Sequence, residues 1–314
     1  MRYIIDPVPK EKIKKELTPD KLLRKTNFGN NEIYIITAKD SPNTMLEIGR
    51  LRELTFRAAG GGTGKSYDID RFDTAEIPYK QLVLWNPQDE EIIGGYRFVK
   101  LKDLLDNYNT IDTAFTSLFK LSNKFIKDYL PYTIELGRSF IVPNYQSIRY
   151  SKKSIYSLDN LWDGLGALVV ENSEIKYFLG KITMYGDFNP LAKDILLYFM
   201  NKFFNDKESL ITPYEPIEIV TDIKYLETIF DCDNYLDCYK ILNRKIRELG
   251  ENIPPLFNSY MNLSPSMLVF GTALNSSFGN VEETAIMITI KDIYEKKKER
   301  HIKSYLNYKQ NKAT

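Results

Sequence analysis

The chain has 314 residues, 43% of them hydrophobic, which suits a globular protein with a sizeable core. Its 43 Lys and Arg nearly balance 42 Asp and Glu, and a net charge of +1 gives no electrostatic case for a nucleic-acid binder. One histidine, His301, excludes a His-rich zinc site and leaves Ser-His-Asp or Cys-His catalysis dependent on a single residue. Chemistry therefore falls to carboxylates, Lys, Tyr, Ser or backbone groups. The two cysteines, Cys232 and Cys238, argue against a disulfide scaffold and fit a reducing compartment. Met1 to Lys15 lacks an apolar signal core, and no run reaches the roughly 18 apolar residues of a spanning helix. A cytoplasmic protein is expected, with contact at a membrane surface left open.

Residues 1–40 read as a polar extension packed on the main domain, broken by Pro7, Pro9 and Pro19 and ending in a short strand from Glu32 to Thr37. Ser41-Pro42 signals a helix start, with Ser as cap and Pro in the first turn, and Gly60 stops that helix. Ala59 to Ser66 fits a loose phosphate-loop pattern. Yet a charged helix precedes it where a nucleotide site needs a buried strand, so a flexible loop is the favoured reading over NTP binding. Asp68, Asp70 and Asp73 are spaced acids without the Gly and distal Glu of an EF-hand.

Gln81 to Trp85 and Ile92 to Val99 read as paired strands about an Asn86-Pro87 turn, with Arg97 in the second. Residues 101–130 read as helical, with Phe115, Phe119 and Phe125 as core. The segment from Tyr132 to Pro143 alternates like an interior strand but carries Glu135 and Arg138. Charges in such a strand must pair or serve a ligand, and Gly137 between them suggests a bulge or a close approach. Polar, basic residues follow (Arg149, Lys152, Lys153), then a helix from Leu158 to Val170 and a strand from Tyr177 to Met184 containing Lys181. Further helices follow Pro190 and span 222–249, and a hairpin turns around Gly279-Asn280. From Lys291 to the end the chain is basic with a weak helical pattern.

Taken in order, Arg52 and Phe56, Asp70 and Asp73, Gly94 and Arg97, then Glu135, Leu136 and Arg138 resemble the acyl-homoserine-lactone synthases. The fuller similarity is to the hemolysin-like amino-acid N-acyltransferases that begin ornithine-lipid and glycine-lipid synthesis. It is carried by Leu-Arg-Glu-Leu-Thr-Phe, Asp-Ile-Asp-Arg-Phe-Asp, Gly-Gly-Tyr-Arg, Glu-Leu-Gly-Arg-Ser-Phe-Ile-Val-Pro and Gly180-Lys181-Ile182-Thr183-Met184-Tyr185. The resemblance implies an α/β (α+β) GNAT-like fold over residues 41–290, with a central mixed, mostly antiparallel sheet, helices on both faces and a splayed central strand pair. A basic tail, 291–314, would follow it.

The same resemblance implies transfer of a long acyl chain, with or without a 3-hydroxyl group, to the α-amine of glycine or ornithine. Glu135 would act as base, with Arg138 beside it as the second catalytic residue. Arg52, Phe56, Asp70, Asp73, Arg97, Gly137, Phe140 and Lys181 would shape the substrate site. Arg138, Arg97 or Arg52 could hold the acceptor's carboxylate. No metal and no tightly bound cofactor is implied. The Trp of the lactone synthases is replaced here by the Gly-rich loop, and the usual GNAT pyrophosphate loop is not evident after Val142. These departures favour acyl carrier protein over acyl-CoA as donor, with Arg149, Lys152 and Lys153 available to an acidic carrier.

Overall fold

The computed structural model describes residues 1–105, 110–146 and 156–313. In chain order its first half holds α1 (Lys10–Glu16), β1 (Leu22–Lys25), β2 (Glu32–Ile36), α2 (Pro42–Ala58), α3 (Arg71–Thr74), β3 (Lys80–Asn86), β4 (Glu91–Lys100), β5 (Phe119–Leu121), α4 (Asn123–Asp128) and β6 (Thr133–Ile141). There follow α5 (Ser157–Glu171), β7 (Tyr177–Met184), α6 (Pro190–Phe204), β8 (Ile211–Pro213), α7 (Ile223–Ile229), α8 (Tyr235–Glu248), α9 (Pro255–Met261), β9 (Leu268–Asn275), β10 (Val281–Thr289), α10 (Glu295–Lys298) and α11 (Ser304–Ala313).

Eight strands form one sheet in the order β1-β2-β3-β4-β6-β7-β10-β9, and β5 pairs with β8 in a separate ribbon. Among the described residues only β6 and β7 run parallel in the large sheet. Helices cover both faces because alternate strand residues point opposite ways. Gln81 of β3 meets Arg52 of α2 on one face. Its neighbour Leu82 packs on the other against Gly164 of α5, where an added methyl would sit only 2.6 Å from the Leu82 side chain.

The start of α2 falls where Ser41-Pro42 places it, but the cap differs. Ser41 makes no side-chain cap bond. Glu16, at the end of α1, accepts from the backbone N–H groups of Asn43 (3.0 Å) and Thr44 (2.7 Å) instead. The N-terminal segment is thereby tied to the main helix, and β1 joins the large sheet as its edge strand. The described residues of 101–130 do not form one helix: Leu101–Leu104 is a 3₁₀ turn and Phe119–Leu121 is β5. Thr113 bonds the N–H groups of Phe115 and Thr116, a local turn that competes with helix formation, and a capped helix begins only after Ser122. Phe115, Phe119 and Phe125 are nonetheless core, packed with Leu179 and Met287.

The C-terminal segment is more ordered than its sequence suggests. A π-turn over Glu299–Lys303 buries His301, whose Nδ1 lies 2.8 Å from Asp163 of α5. Gly166 permits that approach, since a Cβ there would fall 2.3 Å from the His301 carbonyl oxygen. Arg300 pairs with Asp159 and Lys309 with Glu171, so part of the basic charge is neutralised within the chain. Cys232 and Cys238 are joined as one short-range disulfide, a bridge that a reducing compartment does not favour. Among the described residues no helix is long and apolar enough to cross a membrane.

Candidate active site

The site begins where the sheet splits. β6 and β7 pair only from Thr133 to Glu135 against Tyr177 to Leu179. Beyond that rung the strands diverge, and Gly180 sits at the fork, 3.2 Å from the Leu136 carbonyl to a hypothetical Cβ. A narrow pocket opens in the wedge, lined by Tyr96, Leu136 to Ser139, Phe178 to Lys181 and the α9 residues Leu256 and Tyr260. A splayed strand offers unpaired backbone groups to an extended ligand.

The upper arm of the wedge is bent. Gly95 pairs with Phe140 but Arg97 pairs with Gly137, so β6 carries one extra residue. The bulge falls at Arg138, which adopts a left-handed backbone (φ 48°), a conformation that costs a non-Gly residue about 1 kcal/mol or more. Gly137 itself needs no such freedom, since a methyl there would meet Arg97 at an ordinary 3.5 Å. The Arg138 guanidinium stacks 4.0 Å from the Phe278 ring centre, and Phe278 packs edge-on against Phe56 of α2. Phe140 is buried beside Gly95.

Behind the wedge lies a buried charge network. Asp70 and Asp73 form a reciprocal capping box at α3: Asp70 accepts from the Phe72 and Asp73 N–H groups, and Asp73 accepts from the Asp70 N–H. The box aims both carboxylates at β4. Arg97 reaches Asp70 at 2.6 Å and Asp73 at 3.4 Å. Arg52 reaches Asp73 at 3.2 Å and Gln81 at 2.5 Å. Arg138 pairs with Asp68 at 2.8 Å; the better-aligned hydrogen bond runs from Nη2 at 3.3 Å. These acids therefore serve guanidinium groups and form no calcium loop. Burial opposes the charge of Asp73, but Arg52 and Arg97 outweigh it and hold its carboxyl at about 2.

Glu135 occupies the last paired rung, buried on the face it shares with Arg97. Tyr79 donates to its Oε1 at 3.0 Å, and among the described residues Oε2 has no hydrogen-bond partner. Burial pushes its pKa up, against the pull of Thr113, Lys181, Arg97 and Tyr79. Lys181 lines the wedge, pairs with Glu283 of β10 at 2.7 Å and donates to the Ala114 carbonyl at 2.9 Å.

Of the residues singled out in sequence, Arg138, Gly137 and Lys181 line the wedge, and Glu135 lies at its base. Arg52, Arg97, Asp70 and Asp73 form the network behind, with Arg52 and Arg97 fully enclosed. Phe56 and Phe140 are packing residues at its border. Tyr79, Asp68, Gln81, Glu283 and Phe278 belong to the same constellation. Asp68 shared the acidic spacing; the others gave no local signal. Arg149, Lys152 and Lys153 lie outside the described residues.

The Gly-rich loop has its own occupant. Glu53 of α2 accepts from the Thr63 N–H (3.0 Å), the Thr63 hydroxyl (2.7 Å) and the Gly64 N–H (2.8 Å). A carboxylate of the protein thus takes the donors that a nucleotide phosphate would need. Glu53→Ala is expected to cost about 1–3 kcal/mol by urea unfolding, because part-buried donors lose their buried acceptor. Mg-ATP is expected to leave the wild-type Tm unchanged.

A split mixed sheet with a buried carboxylate at the fork defines a GNAT-type N-acyltransferase. The family model described as the acetyltransferase (GNAT) domain matches residues 51–154. The glycine N(alpha)-acyltransferase of Phocaeicola vulgatus is 55% identical over 307 residues, covering 98% of this chain and 94% of that one. The enzyme of the same name from Bacteroides thetaiotaomicron is 54% identical, covering 98% and 91%. Among solved structures, FeeM, an N-acyl amino acid synthase from uncultured soil microbes, covers 83% of this chain and 92% of its own at 11% identity, with a TM-score of 0.38. The chain belongs to the same family as the two curated enzymes and is an amino-acid N-acyltransferase acting in N-acyl amino acid synthesis.

Proposed function

We propose that this enzyme transfers a long fatty acyl chain from acyl carrier protein to the α-amine of glycine, giving an N-acylglycine lipid. The observation that carries the reading is the fork itself. It combines an open strand edge, a buried carboxylate with one free oxygen, and two cations, Arg138 and Lys181, on the wedge wall. The thioester lies along the splayed backbone. An α-amine is mostly protonated at neutral pH, so Glu135 removes a proton, directly or through water. The freed amine attacks the thioester carbonyl. A backbone N–H between Gly137 and Phe140 stabilises the oxyanion, a contribution of about 3 kcal/mol for one donor. Attack forms the C–N bond; collapse breaks the C–S bond, the departing thiolate takes the second proton from the nitrogen, and the first leaves Glu135 for solvent.

Arg138 or Lys181 holds the acceptor's carboxylate, since both reach the wedge while Arg52 and Arg97 are enclosed. Glycine is favoured over ornithine because it is the acceptor in the names of the two relatives.

Pure protein incubated with acyl carrier protein thioester and single amino acids tests the reading. N-acylglycine is expected by mass spectrometry, with ornithine slower by about ten-fold or more. No thiol release with any amino acid would overturn the proposal. Turnover with acyl-CoA but not with the carrier thioester would overturn the donor.

A further inference from the structure

Tyr79 has no place in the reaction as described, yet it is almost fully buried and its hydroxyl is fixed from two sides. It donates to Glu135 Oε1 at 3.0 Å and accepts from the Ala114 N–H at 3.3 Å. The carbonyl of the same Ala114 residue accepts from Lys181 at 2.9 Å, and Lys181 pairs with Glu283. A continuous circuit therefore runs from Glu135 through Tyr79 and Ala114 to the cation on the wedge wall. The loop of residues 113–116 is held in shape by the Thr113 hydroxyl, which bonds the Phe115 and Thr116 N–H groups.

We propose that Tyr79 is a positioning residue for acyl transfer, holding one oxygen of Glu135 so that the other faces the incoming amine. The proposal rests on the reading of Glu135 as base. Oε1 is bonded by the phenol while Oε2 is buried with no hydrogen-bond partner among the described residues, and the Thr113 hydroxyl stands near enough to favour the carboxylate as well. A carboxylate with one oxygen tied has a defined direction for accepting a proton. The phenol is a donor throughout the working range, because burial and the adjacent Glu135 push its own pKa well up.

The charged and titrating groups around Glu135 fix the sign of its effect. Arg97 of β4 and Lys181 of β7 favour the carboxylate. Asp70 and Asp73 stand behind Arg97, Arg52 stands behind Asp73, and Glu283 stands behind Lys181. The phenol adds a hydrogen bond to the charged form, so removing it raises the pKa of Glu135. The active, ionised base then appears at higher pH.

The test is the pH profile of kcat/KM for Tyr79→Phe, with the thioester KM measured alongside. The acid limb is expected to move up by about one pH unit, with an unchanged thioester KM and a high-pH plateau within about three-fold of wild type. A loss of equal size at every pH, or an unmoved limb, would overturn the proposal. If Tyr79→Phe fails to fold, Tyr79→Met, which also lacks the hydroxyl, takes its place with the same upward shift expected; an unmoved limb there overturns it equally. Glu135→Gln separates the two readings. If it keeps the wild-type rate and limb, the assignment of the base fails. If it abolishes the limb while Tyr79→Phe leaves it in place, the role of Tyr79 alone fails.

Discussion

Glu135→Gln is expected to lower kcat/KM at pH 7 by about 10²–10⁴-fold, the range of one positioned general base. Its Tm is expected to stay level or rise. The side chain is buried, burial already raises its pKa, and a neutral isostere removes a charge that the interior disfavours. Steady-state kinetics and a thermal melt on the same preparation check both halves. A large loss of activity in a protein as stable as wild type marks a residue kept for chemistry. Equal losses in rate and stability would instead mark Glu135 as part of the framework.

Asp73→Asn is expected to show the reverse balance. Asp73 is fully buried between Arg52 at 3.2 Å and Arg97 at 3.4 Å, and its own carboxyl caps α3. Removing its charge leaves the enclosed Arg52 short of its anion, while Arg97 keeps only Asp70. Breaking a buried pair in this way costs about 3–5 kcal/mol. Urea unfolding at pH 7 measures the loss. The pH dependence gives a second check. With the carboxyl held at about 2 against an ordinary 3.8, the stability it contributes is complete above about pH 4 and disappears as pH falls toward 2. Asp73→Asn should therefore flatten the wild-type decline in that window, and an unchanged slope would show that the network matters less than its burial implies.

The parts of the site legible in sequence are those fixed by local rules. The Asp70 and Asp73 spacing is a capping box, so three residues of chain determine where both carboxylates point. The alternation around Glu135 and Arg138 marks an interior strand before any partner is known, and the Gly180-Lys181 stretch falls in the strand across the wedge. The misses have the opposite character. Tyr79 meets Glu135 across 56 residues and Asp68 meets Arg138 across 70, contacts that only strand order creates. Gly137 drew attention as a bulge, yet the register shift and the left-handed backbone fall on Arg138, a residue type that gives no hint of positive φ. Thr113 turns a stretch with helical apolar spacing into a loop, and the Ala114 carbonyl of that loop accepts from Lys181.

The Glu135→Gln deficit measured across pH is the most direct test of base catalysis at the fork. Single-turnover rates with a saturating thioester and excess glycine, taken from pH 7 to above the amine's own pKa, isolate the proton-removal step. The expected result is a deficit of about 10²-fold or more at pH 7 that narrows toward wild type once the amine is neutral without help. A deficit of constant size at every pH, or none at all, would contradict it.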